Sequence, residues 1–167
     1  MMPDILATLL TLENLAIVLA IAYLLLAARE SLWCWLCALV SSVIYVWLTW
    51  SVRLYMDAAL NVFYAVMAVW GWWQWQHGTA VEKERHSNVL AISVMSWRQH
   101  ALCAVSVIAL SLLNGYVMQH YTDAAWPYVD SFITWSSVVT TFLVVRKVLE
   151  NWLYWILIDG IAVVVYF

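Results

Sequence analysis

The chain has 167 residues, 66% of them hydrophobic and only 10% charged, with a net charge of −3 and 16% aromatic residues. Soluble domains carry about 25% charged residues, so this balance excludes an ordinary water-soluble fold, and no basic surface offers itself to nucleic acid. Four Gly and two Pro are too few for a barrel of many tight turns. Long apolar runs without a period of two point instead to an all-α membrane protein.

Six segments are long enough to cross about 30 Å of hydrocarbon at 1.5 Å per residue. The first, Leu12–Ala28, is preceded by Asp4 and lacks the basic region and cleavage site of a removable signal, so it is expected to stay in the protein. The second, Leu32–Ser51, carries Cys34 and Cys37 as C-x-x-C. Inside an apolar helix, away from a cation or a helix N-terminus, that pair reads as packing rather than redox or metal chemistry. The third, Tyr55–Gln76, ends in the indole-rich run "AVWGWWQWQ". A long connection follows, "HGTAVEKERHSNVLAISVMSWRQH", whose middle, "VLAISVMSW", is expected to lie along the membrane interface. The spans Ala101–Met118, Tyr128–Val145 and Asn151–Phe167 complete the set.

Six crossings place alternate loops on opposite sides. Arg29, Lys83, Arg85, Arg98, Arg146 and Lys147 then share one face, and only Arg53 lies on the other. This positive-inside bias predicts that the basic face is cytoplasmic and the N-terminus outside.

The stretches beginning at Glu30, "ESLWCWLCALVSSVIY", and at Glu150, "ENWLYWILIDGIAVVVY", align at a spacing of 120, which pairs Glu30 with Glu150 and Trp35 with Trp155. Four crossings separate them, so they run the same way through the membrane, a layout in which transporters bind at the repeat interface. The expected organisation is a first three-helix bundle over 1–76, a cytoplasmic loop and linker helix over 77–127, and an incomplete second bundle over 128–167. The second copy lacks a counterpart of Asn61–Gln76, so a seventh helix is expected to be missing.

Polar residues inside the spans mark the candidate site. Trp152, Trp155, Asp159, Ala162 and Tyr166 share one face of the sixth span. A carboxylate at mid-span costs roughly 2.5–3.5 kcal/mol on insertion scales, which a cavity or ligand offsets; a hydrogen bond to a neighbouring helix is the plainer reading. On the fifth span Asp130, Thr134, Ser137 and Thr141 recur at helical spacing, the pattern of close helix packing. On the third, Asn61, Tyr64, Ala68, Gly71 and Trp75 form one stripe, with Met67, Trp70 and Gln74 on the next. Trp72 and Trp73 suit the interfacial aromatic belt, and Trp75 is open to the same reading. Together Asn61, Tyr64, Gln74, Trp152, Trp155 and Asp159 offer π faces, amides and one acid to a flat, cationic ring. A desolvated cation on an indole is worth about 2 kcal/mol.

These segments resemble the PnuC family of bacterial vitamin and nicotinamide riboside transporters, most densely over Ala27–Trp75 and Asp130–Asp159. The signatures are the G-W-x-x-W ending the third span and the E-N-W-x-x-W-x-x-x-D opening the sixth. The resemblance implies a SWEET-like fold of two parallel three-helix bundles joined by a linker helix, assembled as a homotrimer in the bilayer. It implies facilitated uptake of nicotinamide riboside across the inner membrane, feeding NAD biosynthesis, with trapping by phosphorylation in the cytoplasm. Substrate contacts carry over to Asn61, Tyr64, Gln74, Asn151, Trp152, Trp155 and Asp159. The sequence departs from the family at Asn61, where Gln is common, at Leu36, where Pro is common, and in the absent final helix.

No G-x-x-x-x-G-K-[ST] loop is present, nor a ladder of buried acids and histidines for a proton relay. His77, His86, His100 and His120 fall in or near loops, where solvation is the default. No cofactor, metal or enzymatic activity is expected. The alternatives are a thiamine or riboflavin carrier, a membrane redox protein using Cys34 and Cys37, and a non-transporting assembly subunit.

Overall fold

A computed structural model of the chain describes residues 2–52, 55–77, 91–122 and 126–166. Six helices account for nearly all of them: α1 (Met2–Ala28), α2 (Trp33–Ser51), α3 (Tyr55–His77), α4 (Trp97–Tyr121), α5 (Pro127–Val145) and α6 (Asn151–Tyr166). By length and composition α1, α2, α4 and α5 are apolar enough to cross a membrane, and α6 is a shorter apolar helix. α3, which carries Asp57, Asn61, Gln74 and Gln76, is not among them.

Helix ends follow from local chemistry. α4 starts four residues before its expected position because Ser96 and Gln99 cap it. Gln99 Oε1 accepts from the Ser96 backbone N–H at 2.7 Å and from its hydroxyl at 2.9 Å, satisfying donors that a helix start leaves open. α5 opens on Pro127, whose fixed φ and missing N–H suit a first helical position.

The chain divides into two compact units, Met1–Leu90 and Ala91–Phe167. In the first, α2 is the middle helix and packs on both α1 and α3. Small residues let the backbones approach: Ala16, Ala27, Ala58 and Ala68 are buried, and Ser41 Oγ donates to the Ala16 carbonyl at 3.1 Å. The closest approach is at Gly71, where a Cβ would collide with the Trp35 indole. That indole is 3% exposed, meets Trp75 edge-on at 5.2 Å and 85°, and lies 6.3 Å from the Tyr23 ring. Trp75 is therefore core rather than interfacial belt. Trp73 is exposed and stacks on His77.

In the second unit α5 is the middle helix, between α4 and α6. Its buried face is built of hydroxyls, Ser131, Ser136, Ser137, Thr140 and Thr141. Asn114 Nδ2 of α4 donates to Ser131 Oγ at 2.9 Å. Thr140 and Thr141 donate back to the Ser136 and Ser137 carbonyls, each at 2.7 Å. Gly115 admits the Tyr128 ring against α4.

The α1–α2 and α5–α6 connections share one turn geometry, in a different register from the Glu30–Glu150 alignment. α1 ends in a Schellman turn: Glu30 N–H donates to Ala27 O at 3.0 Å and Ser31 N–H to Leu26 O at 2.9 Å, with Glu30 at φ 55°. α5 ends identically: Lys147 N–H donates to Val144 O at 3.0 Å and Val148 N–H to Leu143 O at 2.9 Å, with Lys147 at φ 50°. Cys34 N–H to Ser31 O and Asn151 N–H to Val148 O continue the match. The correspondence thus pairs Glu30 with Lys147 and Trp35 with Trp152, three residues short of the Glu30–Glu150 alignment. Neither left-handed residue is glycine, so no sequence mark announces the turn.

Candidate functional site

The seven expected contact residues divide between the units, three on α3 and four on α6. On α3, Asn61 donates its Nδ2 to the Asp57 carbonyl one turn back at 2.9 Å. Tyr64 is half-buried, with its ring 5.9 Å from Phe63. It is an electrostatic neighbour of Tyr23 on α1, as is Cys34 on α2. Gln74 is half-buried next to the fully packed Trp75. Helix α3 thus turns Gly71 and Trp75 into the unit to hold Trp35, and keeps Tyr64 and Gln74 partly open.

On α6, Asn151 is buried and donates Nδ2 to the Val148 carbonyl at 2.6 Å, so its amide holds the α5–α6 turn. Ile158 turns inward at 3% exposure. Trp152, at 36%, and Asp159 lie on the open side of the helix, with Trp155 half-buried between them. Within this unit α6 carries two indoles and a carboxylate along one side, beside the more exposed Leu153, Ile156 and Leu157. Its chemistry is stacking by the indoles and a point charge for a cation.

Two features escaped the sequence reading. The first is the Trp35 indole, whose Nε1 is buried with no hydrogen-bond partner among the described residues. Its signal was available, because Gly71 and Trp75 lie one helical turn apart on the stripe that receives it. The second is His100, which belongs to the first turn of α4 instead of a loop. Its Nδ1 lies 2.7 Å from the Tyr154 hydroxyl and its ring stacks on that of Tyr154 at 14°. Below that pair, Cys103, Val107, Ser136, Thr140, Tyr154 and Ile158 line a cavity of about 150 Å³. Its walls are apolar, and none of the seven expected contacts contributes to it.

Packed apolar helices, four of them long enough to cross a bilayer, define a multi-pass helical membrane protein. The chain belongs to the nicotinamide mononucleotide transporter family, whose profile matches residues 10–167. It is 26% identical to the nicotinamide riboside transporter PnuC of Escherichia coli (strain K12), over 84% of this chain and 67% of that protein. It is also 26% identical to the riboflavin/roseoflavin transporter RibM of Streptomyces davaonensis, over 87% of this chain and 67% of that one. A crystal structure of the vitamin B3 transporter PnuC shares the fold, with a TM-score of 0.72 at 20% identity over 92% of this chain and 66% of that chain. The chain spans about two thirds of the length of these relatives.

Proposed function

We propose that the chain carries nicotinamide riboside down its gradient across the bacterial inner membrane, with phosphorylation in the cytoplasm trapping the product. The observation that carries this reading is the open face of α6, where Trp152, Trp155 and Asp159 present two indoles and an acid in a chain of this transporter family. A pyridinium ring is flat and cationic, so it gains both from stacking and from the carboxylate. Asn61, Tyr64 and Gln74 supply groups for the ribose hydroxyls, and Asn151 fixes the turn from which the α6 face begins.

On the same reading, 1–76 forms one three-helix bundle, 77–127 holds the cytoplasmic loop and linker helix, and 128–167 contributes α5 and α6 to a second, parallel bundle. The matching Schellman turns support that duplication. Six of the seven basic residues fall on one side of the six crossings, which supports a cytoplasmic basic face and an outer N-terminus. A homotrimer in the bilayer belongs to the same proposal.

Growth of a strain dependent on external nicotinamide riboside tests the proposal. The parent chain is expected to support growth and the Trp155→Ala/Asp159→Ala double variant to fail; normal growth of the variant refutes the site assignment. A riboflavin cargo is the second reading, favoured by the equal identity to RibM. Binding titrations with nicotinamide riboside, riboflavin and thiamine separate the cargoes.

A further inference from the structure

The residues before α4 do more than connect. Ser93 pairs with Val148 of the α5–α6 turn as a parallel β-bridge. Ser93 N–H donates to Lys147 O at 3.0 Å, and Leu149 N–H donates to Ser93 O at 2.9 Å. Two residues on, Met95 N–H donates to Glu150 Oε1 at 3.0 Å. From the first turn of α4, His100 approaches the same oxygen, with Nε2 at 3.6 Å, while its Nδ1 meets the Tyr154 hydroxyl. The second carboxylate oxygen, Glu150 Oε2, is buried without a hydrogen-bond partner among the described residues.

A neutral imidazole has one donor and one acceptor. With Tyr154 donating its O–H to Nδ1, the Nε2–H points at Glu150 across a gap too long for a good hydrogen bond. Adding a proton makes both nitrogens donors. The Tyr154 oxygen then accepts from Nδ1, and the contact with Glu150 becomes a cation–anion hydrogen bond, which is shorter and about twice as strong as a neutral one.

We propose that the Ser93–Ser96 segment, His100, Glu150 and Tyr154 form a proton-sensitive clasp that locks the start of α4 to the α5–α6 turn. The charged imidazole is the form that gains a partner, so the added hold belongs to the protonated form of His100. Among the described residues, the other charged groups at this end are Arg98 and Arg146, both exposed, and Lys147, buried at the left-handed position of the turn. Cys103 and Glu150 are the electrostatic neighbours of Tyr154. The last two turns of α5, from Thr140 to Val145, offer no ionisable group. Among these side chains imidazole is the type that ordinarily changes charge between about pH 5 and 8. The clasp lies wholly within the second unit and holds whichever cargo the protein carries.

Hydrogen–deuterium exchange of the full chain in lipid nanodiscs, corrected for intrinsic exchange rates, reads the clasp directly. Peptides covering Ser93–Met95 and Leu149 are expected to exchange roughly fivefold more slowly at about pH 6 than at about pH 8. His100→Gln leaves the backbone bridge in place and flattens this pH dependence at the faster rate. Glu150→Gln removes the anion and flattens it as well, which covers the case in which one variant fails to fold. Equal exchange at both pH values in the parent chain, or a pH dependence that survives in either folded variant, overturns the proposal.

Discussion

Trp35 and Trp152 stand at the same place after the same turn, five residues beyond a left-handed residue at the end of a helix. Trp35 is sealed under Gly71 and Trp75 at 3% exposure; Trp152 is 36% exposed on the open side of α6. The turn is what repeats, and the neighbour decides how the indole is used. In the first unit a glycine on α3 admits the ring, and the indole becomes packing. In the second no such glycine among the described residues receives the ring, and the indole stays partly exposed within its unit.

The sharpest way to break this contrast is to truncate both rings. Trp35→Ala is expected to cost about 3–5 kcal/mol, the usual loss for a buried tryptophan, read from detergent-titrated unfolding of the purified chain. Trp152→Ala is expected to move the same transition by under about 1 kcal/mol, since a surface substitution leaves no cavity. A smaller effect comes from the glycines. Gly71→Val drives a side chain into the Trp35 ring and is expected to cost about 1–3 kcal/mol. Gly160→Val, on α6 where a Cβ meets nothing within 4 Å, is expected to be neutral by the same measurement.

Two further variants sharpen the comparison. Trp152→Ala is expected to weaken nicotinamide riboside binding by about 1–3 kcal/mol, the worth of one stacked base, while Trp35→Val/Gly71→Trp double variants that restore volume leave binding unchanged if folded; titration calorimetry in micelles checks both. The mildest is Ser41→Ala, which removes one interhelical hydrogen bond and is expected to cost about 0.6 kcal/mol, the average for such bonds in a membrane bundle.

Much of the fold was legible because apolar runs and charged connectors punctuate it. α2, α3, α5 and α6 begin within one residue of their expected starts. α4 began early because Arg98, Gln99 and His100 read as loop, whereas the Ser96–Gln99 cap carries the helix outward. Helical spacing also placed Trp152, Trp155 and Asp159 on one face of α6. It left Trp75 open between stripe and belt, because periodicity assigns a residue to a stripe without naming what the stripe receives. The two matching turns lie three residues off the Glu30–Glu150 alignment, and no glycine marks either left-handed position, Glu30 or Lys147.

The paired hydroxyls of α5 have a mechanical consequence. Thr140 and Thr141 return hydrogen bonds to carbonyls of their own helix, and such back-bonding weakens the ladder and bends helices. Two adjacent residues doing so concentrate compliance at one level of the helix on which α4 and α6 both rest. Any bending of α5 is then expected at the level of Thr140 and Thr141, set by two side-chain oxygens instead of by a proline.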